Sequence, residues 1–404
     1  MLFARPQPGS PADELYGKMT VAAVVFAAVF EIGYFANTHP PFEALGYLIG
    51  RDFVNSWMGA RAVWSGHIAA WFDFETYNAA LRALFGANFP EHNWSYPPHL
   101  LLFTWPFAAL SYLPAYGVWC AIGYAVYLLV VLRGEKRPGR ILMHALAPAA
   151  LVNIFAGQNG LFSAALMIGA LSQMDRRPVF SGISFALLTM KPQLGLLVPL
   201  MLVLTARWRV LVSAISVTVM LAAVTSLMFG SNVWIDYVKV AMPMQQIVLT
   251  HGSGIFPAMM PTAFMNARIA QLPLEWCWVV QGIVSAAAIA SVVWTFWKRR
   301  DRDLSLALFV TASFLVTPYA FNYDMVVFTW IVMLVRDHES STMKDHRLAL
   351  AVWTLPVSTI LLGLANIPVS SLVLLAFAAR LLWRLAHEGA TQKNAAPVGL
   401  AAAA

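Results

Sequence analysis

The chain has 404 residues, of which 60% are apolar and only 11% are charged. Soluble globular domains are about half apolar and about a quarter charged, so this composition excludes an ordinary soluble protein and indicates a polytopic membrane protein. The net charge of +7 does not indicate a nucleic-acid partner, because the basic residues form short clusters between apolar segments, as in the cytoplasmic loops of membrane proteins.

Apolar segments that could cross a bilayer recur along most of the chain. A transmembrane helix needs about 20 mainly apolar residues, and shorter spans occur where helices break or are shielded by their neighbours. We therefore predict an all-α polytopic membrane protein with about 11 to 13 transmembrane helices. The candidate spans are residues 19–36, 97–113, 115–132, 141–156, 160–173, 179–190, 192–206, 209–229, 277–297, 304–317, 323–336, 348–364 and 367–385.

The basic clusters predict which ends of these spans face the cytoplasm. One self-consistent assignment has cytoplasmic loops at 133–140, 175–178, 207–209, 298–302 and 336–347. With the N-terminus also inside, however, the alternation fails by one crossing before residue 133. Either 97–132 crosses the membrane only once, or the basic loop at 133–140 lies outside, and the sequence leaves both alternatives open.

Two segments are too long to be simple connections, residues 38–96 and 230–276. The first has apolar residues at helical spacing, among them Phe53, Trp57 and Trp64 on one face. This pattern predicts two amphipathic juxtamembrane helices in the first extracytoplasmic loop. The second segment is rich in Met and Pro and is expected to lie against the membrane surface on the same side.

The chain divides simply at the level of domains. Residues 1–385 are predicted to form a single transmembrane domain, because no linker separates the candidate spans. Residues 386–404 end in a low-complexity, alanine-rich stretch and are predicted to be a disordered cytoplasmic tail.

An acidic residue follows the first span in the stretch "GYLIGRDFVNSW", residues 46–57. Asp52 could simply cap the helix that follows, because Asp accepts hydrogen bonds from free N–H groups at a helix start. It could instead be a general base at the boundary between water and membrane. In the second interpretation, Arg51 would keep the carboxylate ionised.

Uncharged polar groups mark two further turns. In "NWSYPPHL" (93–100), Tyr96 and His99 could belong to an interfacial aromatic belt or could line a sugar pocket. In "FAGQNGLF" (155–162), Gln158 and Asn159 could form an ordinary glycine-flanked turn. Alternatively, the two amides could recognise hydroxyl groups.

Two more stretches place charge near membrane depth. Lys191 in "LTMKPQLGLL" interrupts a long apolar region at a proline, and it could either snorkel to the interface or bind a phosphate headgroup. The stretch "TPYAFNYDMVVF" (317–328) could be a capped turn or a second polar wall of a cavity. Its polar candidates are Tyr319, Asn322, Tyr323 and Asp324.

These motifs, in this order, resemble glycosyltransferase family 87. The matching stretches are "RDFVNSWMGARAVWSGHIAAWFD", "YPPHLLLFTWPFAAL", "GQNGLF", "KPQLGLL" and "TPYAFNYDMVV", which together extend over about residues 45 to 335. Gln193, the last residue of the Lys-Pro-Gln element, is thereby included among the candidate substrate-binding residues. One departure is that this family often carries a histidine in the last stretch, where this chain has Tyr319, Phe321 and Asn322.

The resemblance implies a fold and an activity. The fold would be a GT-C-like helical bundle, and the enzyme would be an inverting glycosyltransferase in a bacterial plasma membrane. It would move a sugar from a polyprenyl-phosphate donor to a lipid-linked or cell-envelope glycan acceptor outside the cytoplasm. The usual sugar of the family is mannose, and a pentose is the open alternative. Asp52 would be the catalytic base, and Lys191 would lie near the lipid phosphate.

Other functions and a metal requirement stay open at this point. A transporter or flippase of lipid-linked sugars would be expected to show repeat symmetry and buried charges at broken helices, and Lys191 is the nearest approach to such a charge. A surface-glycan polymerase or ligase would be expected to carry paired Arg or His in its large loop. No cofactor and no metal ligands are predicted, since Asp52 has no obvious second carboxylate.

Overall fold

The computed structural model describes residues 10–44, 46–66, 68–298 and 300–394. Helix accounts for 77% of the structure, and no β-strand occurs in these residues. The α-helices are α1 (Pro11–Ala36), α2 (Phe53–Ser65), α3 (Phe74–Phe85), α4 (Leu101–Thr104), α5 (Tyr112–Val131), α6 (Pro138–Ala145), α7 (Pro148–Ala156), α8 (Gly160–Gln173), α9 (Pro178–Leu187), α10 (Val198–Leu204), α11 (Trp208–Phe229), α12 (Asn232–Asp236), α13 (Met242–His251), α14 (Ala263–Ile269), α15 (Leu274–Trp297), α16 (Arg302–Leu315), α17 (Val326–Asp337), α18 (Met343–Leu364) and α19 (Ser370–Asn394).

Short turns of tighter or wider helix interrupt the bundle. Several of them begin at proline, whose missing N–H and fixed φ suit the first turn of a helix and disfavour its continuation. The 3₁₀ turns are Ile68–Phe72, Pro98–Leu100, Trp105–Ala109, Leu188–Met190, Pro192–Gly195, Pro257–Met259 and Asn322–Met325, and one π turn covers Tyr237–Ala241.

The prediction of an all-α polytopic membrane protein is confirmed. Within the described residues, seven helices are long and apolar enough to cross a bilayer: Pro11–Tyr34, Tyr112–Val131, Pro138–Ala156, Trp208–Phe229, Leu274–Trp297, Met343–Leu364 and Ser370–His387. Three shorter apolar helices and the buried helices α16 and α17 coincide with the other candidate spans, with the exception of 97–113. The total number of crossings stays a prediction.

The candidate span at 97–113 is wrong as a full crossing. Residues 98–109 form a 3₁₀ turn, a single turn of α-helix and another 3₁₀ turn, about 20 Å in all, whereas the bilayer core is about 30 Å thick. Both of its flanks contact the same part of the molecule: the Tyr96 hydroxyl donates to the Gln158 side chain, and Trp119 Nε1 donates to the Gln158 carbonyl. Both flanks of the segment therefore lie at the same end of the bundle, as expected for a re-entrant segment.

Ion pairs join the basic loops at one end of the bundle, called here the basic end. Arg140 contacts Asp337 at 2.5 Å, Arg207 contacts Asp175 at 2.5 Å, and His338 lies 3.4 Å from Asp301. These contacts connect the loops that the sequence assigned to one side of the membrane. In addition, Arg336 lies 3.1 Å from Asp13 at the start of α1. With 98–109 re-entrant, the charge pattern alternates consistently from the N-terminal region onward.

The two long loops fold against the bundle. Helix α2 is not a surface helix as its pattern predicted, because residues Phe53 to Ala60 are all buried, whereas Trp64 is 58% exposed. Helix α3 is amphipathic, with Tyr77 and Leu81 on its buried face. The second loop contains α12, α13 and α14.

The prediction of a disordered tail at residues 386–404 is wrong for its first part. Helix α19 continues through residue 385 to Asn394, so the segment from 386 to 394 is helical and not disordered. The helix can continue because this part of the tail contains no proline and only one glycine. The remaining tail residues, 395–404, lie outside the described residues.

Candidate functional site

Three helix breaks meet the start of α2 at the end of the bundle opposite the basic loops, called here the Asp52 end. The first break separates α7 from α8 at 157–159, the second is centred on Lys191, and the third lies between α16 and the turn Asn322–Met325. Backbone that leaves helical geometry within a membrane protein needs protein or water partners for its polar groups. Such breaks therefore bring polar side chains together.

Asp52 begins α2 but does not cap it. Its side chain makes no hydrogen bond to the helix N–H groups, so the capping interpretation does not describe this structure. Instead, Oδ2 accepts a hydrogen bond from Gln158 Nε2 at 2.8 Å, and Tyr96 in turn donates its hydroxyl to Gln158 Oε1 at 3.0 Å. The carboxylate is half-buried, so one oxygen is held by the protein while the side chain keeps access to solvent.

Backbone contacts hold Asp52 beside the first helix break. The Asp52 amide donates to the Ala156 carbonyl at 3.0 Å. The next residue, Gly157, has a φ of 63°, and a Cβ atom there would lie 2.2 Å from the Gly50 carbonyl oxygen. Only glycine allows both this conformation and this approach. The adjacent Phe53 ring is fully buried among aromatic rings, which fixes the start of α2.

Arg51 has a different partner from the one expected. Its guanidinium forms an ion pair with Glu43 at 3.0 Å and lies 4.8 Å from the Tyr47 ring centre and 4.9 Å from the Phe155 ring centre. Arg51 has a positive φ of 30°, a conformation that costs free energy unless its surroundings impose it. The pair with Glu43 supplies that constraint, so Arg51 orients the backbone that carries Asp52.

Lys191 is buried, so the snorkelling interpretation is wrong. Its ammonium forms an ion pair with Asp324 and lies 4.8 Å from the centre of the Tyr323 ring. The Asp52 carboxylate is within electrostatic range of Lys191. A buried charge of this kind needs a partner, and Asp324 provides it.

An aromatic wall lies beside this ion pair. The rings of Phe321 and Tyr323 stack at 4.8 Å, and Tyr319 meets Phe321 edge-on at 5.2 Å. Tyr319 is only partly buried, and its hydroxyl makes no hydrogen bond to another described residue. A Cβ atom at Gly160, two residues after Gln158, would lie 2.1 Å from the Tyr323 carbonyl oxygen, so the wall lies next to the first helix break.

Asn159 is the last residue of the first helix break and contacts Met190, next to the second break. Only 1% of its surface is exposed, and its Nδ2 makes a long contact of 3.7 Å with Met190 Sδ. Its Oδ1 has no hydrogen-bond partner among the residues that the structure describes. A buried carbonyl oxygen without a donor costs about 1–3 kcal/mol. This oxygen is therefore a candidate acceptor for a ligand O–H or N–H group.

Two other predicted residues are engaged within the protein, and a third is not. Both amide groups of Asn322 are engaged, with Nδ2 donating to the Pro356 carbonyl at 2.7 Å and Oδ1 accepting from the Tyr323 amide at 2.9 Å. His99 is buried against Thr189 and Trp234. Gln193 is half-buried and makes no side-chain hydrogen bond within the described part of the chain. Asn322 thus has a structural role in the third break.

Two residues near Asp52 were missed by the sequence interpretation. One is Glu43, the ion-pair partner of Arg51. The sequence offered no indication of this pair beyond a carboxylate eight positions before the arginine. The other is His92, whose Nδ1 lies 2.9 Å from the Pro90 carbonyl oxygen. A carbonyl oxygen can only accept a hydrogen bond, so Nδ1 is the donor. Burial lowers the pKa of His92, while the charge of Asp52 opposes that shift. The neutral ring then presents Nε2 as an acceptor.

The arrangement can perform acid–base chemistry beside an anion site. It combines a half-exposed carboxylate, fixed at one oxygen, with a buried lysine and an aromatic wall. Within the described ranges, no three His, Cys, Asp or Glu residues converge as a metal-binding group.

Comparison with known proteins identifies the family. The model of glycosyltransferase family 87 matches residues 94–318, more than half of the chain. The matched segment includes Tyr96, Gln158 and Lys191, whereas Asp52 precedes it. No curated protein and no solved structure matches the chain. The chain therefore belongs to glycosyltransferase family 87, and it is a glycosyltransferase built from membrane helices.

Proposed function

We propose that this protein is an inverting glycosyltransferase that moves a sugar, mannose in the first instance, from a polyprenyl-phosphate donor to a lipid-linked or cell-envelope glycan acceptor. The single observation that carries this proposal is the Asp52 carboxylate. It is half-buried at the Asp52 end, fixed at one oxygen by Gln158, and within electrostatic range of a buried lysine. The Asp52 end would face the extracytoplasmic side of a bacterial plasma membrane, since the basic end carries the cytoplasmic pattern.

In the proposed reaction, Asp52 is the general base. An acceptor hydroxyl oxygen attacks the anomeric carbon of the donor sugar, and its proton passes to the free oxygen of Asp52. The new glycosidic C–O bond forms as the bond between the anomeric carbon and the phosphate oxygen breaks. The polyprenyl phosphate leaves with the bonding electron pair. General bases of this kind contribute about 10²–10⁴ in rate.

Lys191 would act on the leaving phosphate. A cation close to the phosphate oxygens stabilises the negative charge that develops there as the bond breaks. Within the protein, Asp324 neutralises the ammonium. A bound phosphate would share Lys191 with Asp324, and the aromatic wall would pack against the apolar face of the sugar.

The test is sugar transfer by the purified protein in nanodiscs, with radiolabelled polyprenyl-phosphate mannose and a bacterial envelope lipid extract as acceptor. We expect Asp52→Asn to lower the transfer rate by about 10²–10⁴, because it retains the size of the side chain and removes its basicity. Glu91→Gln is the matched control, since Glu91 is an exposed carboxylate of the same loop paired only with Arg82.

The outcomes separate the parts of the proposal. Transfer by wild type and by Glu91→Gln, but not by Asp52→Asn, supports donor and base together. Equal transfer by all three keeps the donor and contradicts Asp52 as the base. If the wild-type protein transfers no sugar and instead moves the labelled lipid across the bilayer, the glycosyltransferase proposal is contradicted. A flippase of lipid-linked sugars would then be favoured.

A further inference from the structure

A cavity lined by arginines lies far from Asp52, at the basic end of the bundle. It has a volume of about 340 Å³ and is lined by Arg133, Gln173, Arg176 and Arg177, and it is called here the arginine cavity. This volume falls at the lower end of the range of small-molecule sites, about 300–1,000 Å³. The cavity is thus large enough to receive a phosphate-bearing headgroup.

The positive charge of the arginine cavity is not neutralised by the protein. Among the described residues, no ion pair involves Arg133, Arg176 or Arg177. The nearby carboxylates already have other partners. Asp175 pairs with Arg207 at 2.5 Å and also approaches Arg302, and Glu135 pairs with Arg137 and Arg140. Three exposed arginines therefore line one cavity, and none of them forms an ion pair within the described part of the chain.

The fold places this cavity at membrane-headgroup depth. Helix α5 starts at Tyr112, which bonds to the Ile49 carbonyl at the Asp52 end, and its 20 residues rise about 30 Å to the loop that carries Arg133. Helix α8 starts at the first helix break, and its 14 residues rise about 21 Å to end at Gln173. The arginine cavity is therefore at the far membrane surface and not part of the transferase site.

Exposed apolar side chains lie close in sequence to the lining arginines: Leu129 is about one helical turn before Arg133, and Val179 and Phe180 follow Arg177. Phe180, 46% exposed, and Val130 both approach Gly169 of α8. Val179 is 58% exposed and Leu129 is 75% exposed. A soluble anion would contact only the arginines, whereas a lipid would use both the cationic cavity and these apolar side chains.

We propose that the arginine cavity binds the phosphate headgroup of an anionic phospholipid, with an acyl chain along Leu129, Val179 and Phe180. Guanidinium groups bind phosphate oxygens through paired N–H donors, and Gln173 can donate a further hydrogen bond. Basic pockets between helices at a membrane surface are suited to such headgroups. The bound lipid would be separate from the sugar donor.

The test is lipid retention by the purified full-length protein in detergent, measured by native mass spectrometry. The probe is phosphatidylglycerol in competition with an equal amount of phosphatidylcholine, whose headgroup carries no net charge. We expect phosphatidylglycerol to be retained at least about tenfold more, and the Arg176→Gln/Arg177→Gln variant to reduce its affinity about 10- to 30-fold, at about 1 kcal/mol per arginine. Arg133→Gln should reduce it about fivefold.

Arg209→Gln is the matched control. Arg209 is exposed at the start of α11, next to Arg207, and it does not line the cavity. We expect retention within about twofold of wild type for this variant. An equal loss in all variants would indicate general charge attraction and would overturn the site. Unchanged retention of phosphatidylglycerol by the cavity variants would also overturn the site, whether or not their thermal stability falls.

A soluble anion is the remaining competitor. If inorganic phosphate or glycerol 3-phosphate displaces phosphatidylglycerol at equal concentration, the lipid assignment is overturned in favour of a soluble phosphate site. Displacement only by another anionic phospholipid supports the proposal, because the apolar side chains then contribute to binding.

Discussion

Gln158 Nε2 lies 2.8 Å from a carboxylate oxygen of Asp52, although the two residues are 106 positions apart in the chain. The bond occupies Oδ2 and restricts rotation of the carboxylate, so Oδ1 is left to face an incoming hydroxyl. The Tyr96 hydroxyl holds the other end of the same amide at 3.0 Å, which fixes which amide atom faces Asp52. Gln158 is therefore a positioning residue for the proposed base.

Replacement of Gln158 should lower turnover more than substrate binding. We expect Gln158→Leu to reduce kcat about 10- to 100-fold with little change in KM, because a base that can rotate spends less time in the productive geometry. Tyr96→Phe should have a smaller effect in the same direction, since the amide keeps its bond to Asp52. Initial rates over a range of donor and acceptor concentrations provide both constants.

Gln246→Leu is the matched control for this prediction. Gln246 is an exposed glutamine of α13, and its side chain makes no hydrogen bond within the described residues. Its replacement should leave kcat within about threefold of wild type. A rise in KM at constant kcat in Gln158→Leu would instead mean that Gln158 binds substrate directly.

The Lys191–Asp324 pair permits a test that separates stability from catalysis. Lys191→Met should destabilise the protein by about 3–5 kcal/mol, because Asp324 then remains buried without a counter-charge. The double variant Lys191→Met/Asp324→Leu should recover most of this loss, since both charges are removed. Thermal unfolding in one detergent, followed at constant protein concentration, compares the three proteins.

Transfer activity should not recover in the double variant. Without Lys191, no buried cation remains at the proposed leaving phosphate, and we expect at least about a 100-fold loss of rate. Restored activity together with restored stability would show that the ion pair only holds the second and third helix breaks together. Lys191 would then have no part in the reaction.

The sequence predicted the helical membrane fold and the grouping of its loops, because hydropathy and positive charge are local properties of the chain. It also indicated every helix break of the Asp52 end through proline, glycine and polar residues. It left open whether 97–132 crosses the membrane once or twice, since the segment at 98–109 is as apolar as a span. Apolar composition alone does not distinguish a helix that crosses from one that turns back.

The partners of the charged residues could not be predicted in the same way. Lys191 and Asp324 are 133 positions apart, and the Arg51–Glu43 pair depends on how residues 38–52 turn. The expectation that Arg51 would face Asp52 followed from their adjacency. The positive φ of Arg51 turns the guanidinium toward Glu43 instead. Such pairings follow from tertiary packing and have no local pattern.

His92 makes stability depend on pH. Burial lowers its pKa in the folded protein, so below the ordinary histidine value of about 6.5 the unfolded chain binds more protons than the folded chain. The free energy of unfolding therefore falls as pH decreases through this range. His92→Gln should reduce the loss of thermal stability between pH 7.5 and pH 5.5, whereas His39→Gln, at an exposed position in the same loop, should leave it unchanged. Parallel losses in wild type and His92→Gln would contradict the assignment.

Asn159 provides a test of how the donor is recognised. Its Oδ1 is buried without a donor among the described residues, next to both Gln158 and Met190. The phosphodiester oxygens of the sugar donor can only accept hydrogen bonds, whereas its sugar hydroxyls can donate one. A sugar hydroxyl is therefore the group that can bind to this oxygen. We therefore expect Asn159→Leu to lower kcat/KM about 10- to 100-fold and to leave thermal stability unchanged or raised, because the orphan carbonyl is removed.

Asn322→Leu is the contrasting variant, because both amide groups of Asn322 already bond within the protein. Its replacement should lower stability by about 2–4 kcal/mol by leaving two buried partners unsatisfied. Donor analogues that each lack one hydroxyl complete the test. With the analogue that lacks the recognised hydroxyl, Asn159→Leu and wild type should transfer at the same rate. The wild-type amide then has no hydroxyl to bind and gives no advantage. An equal loss with every analogue would assign Asn159 to the helix break and not to the sugar.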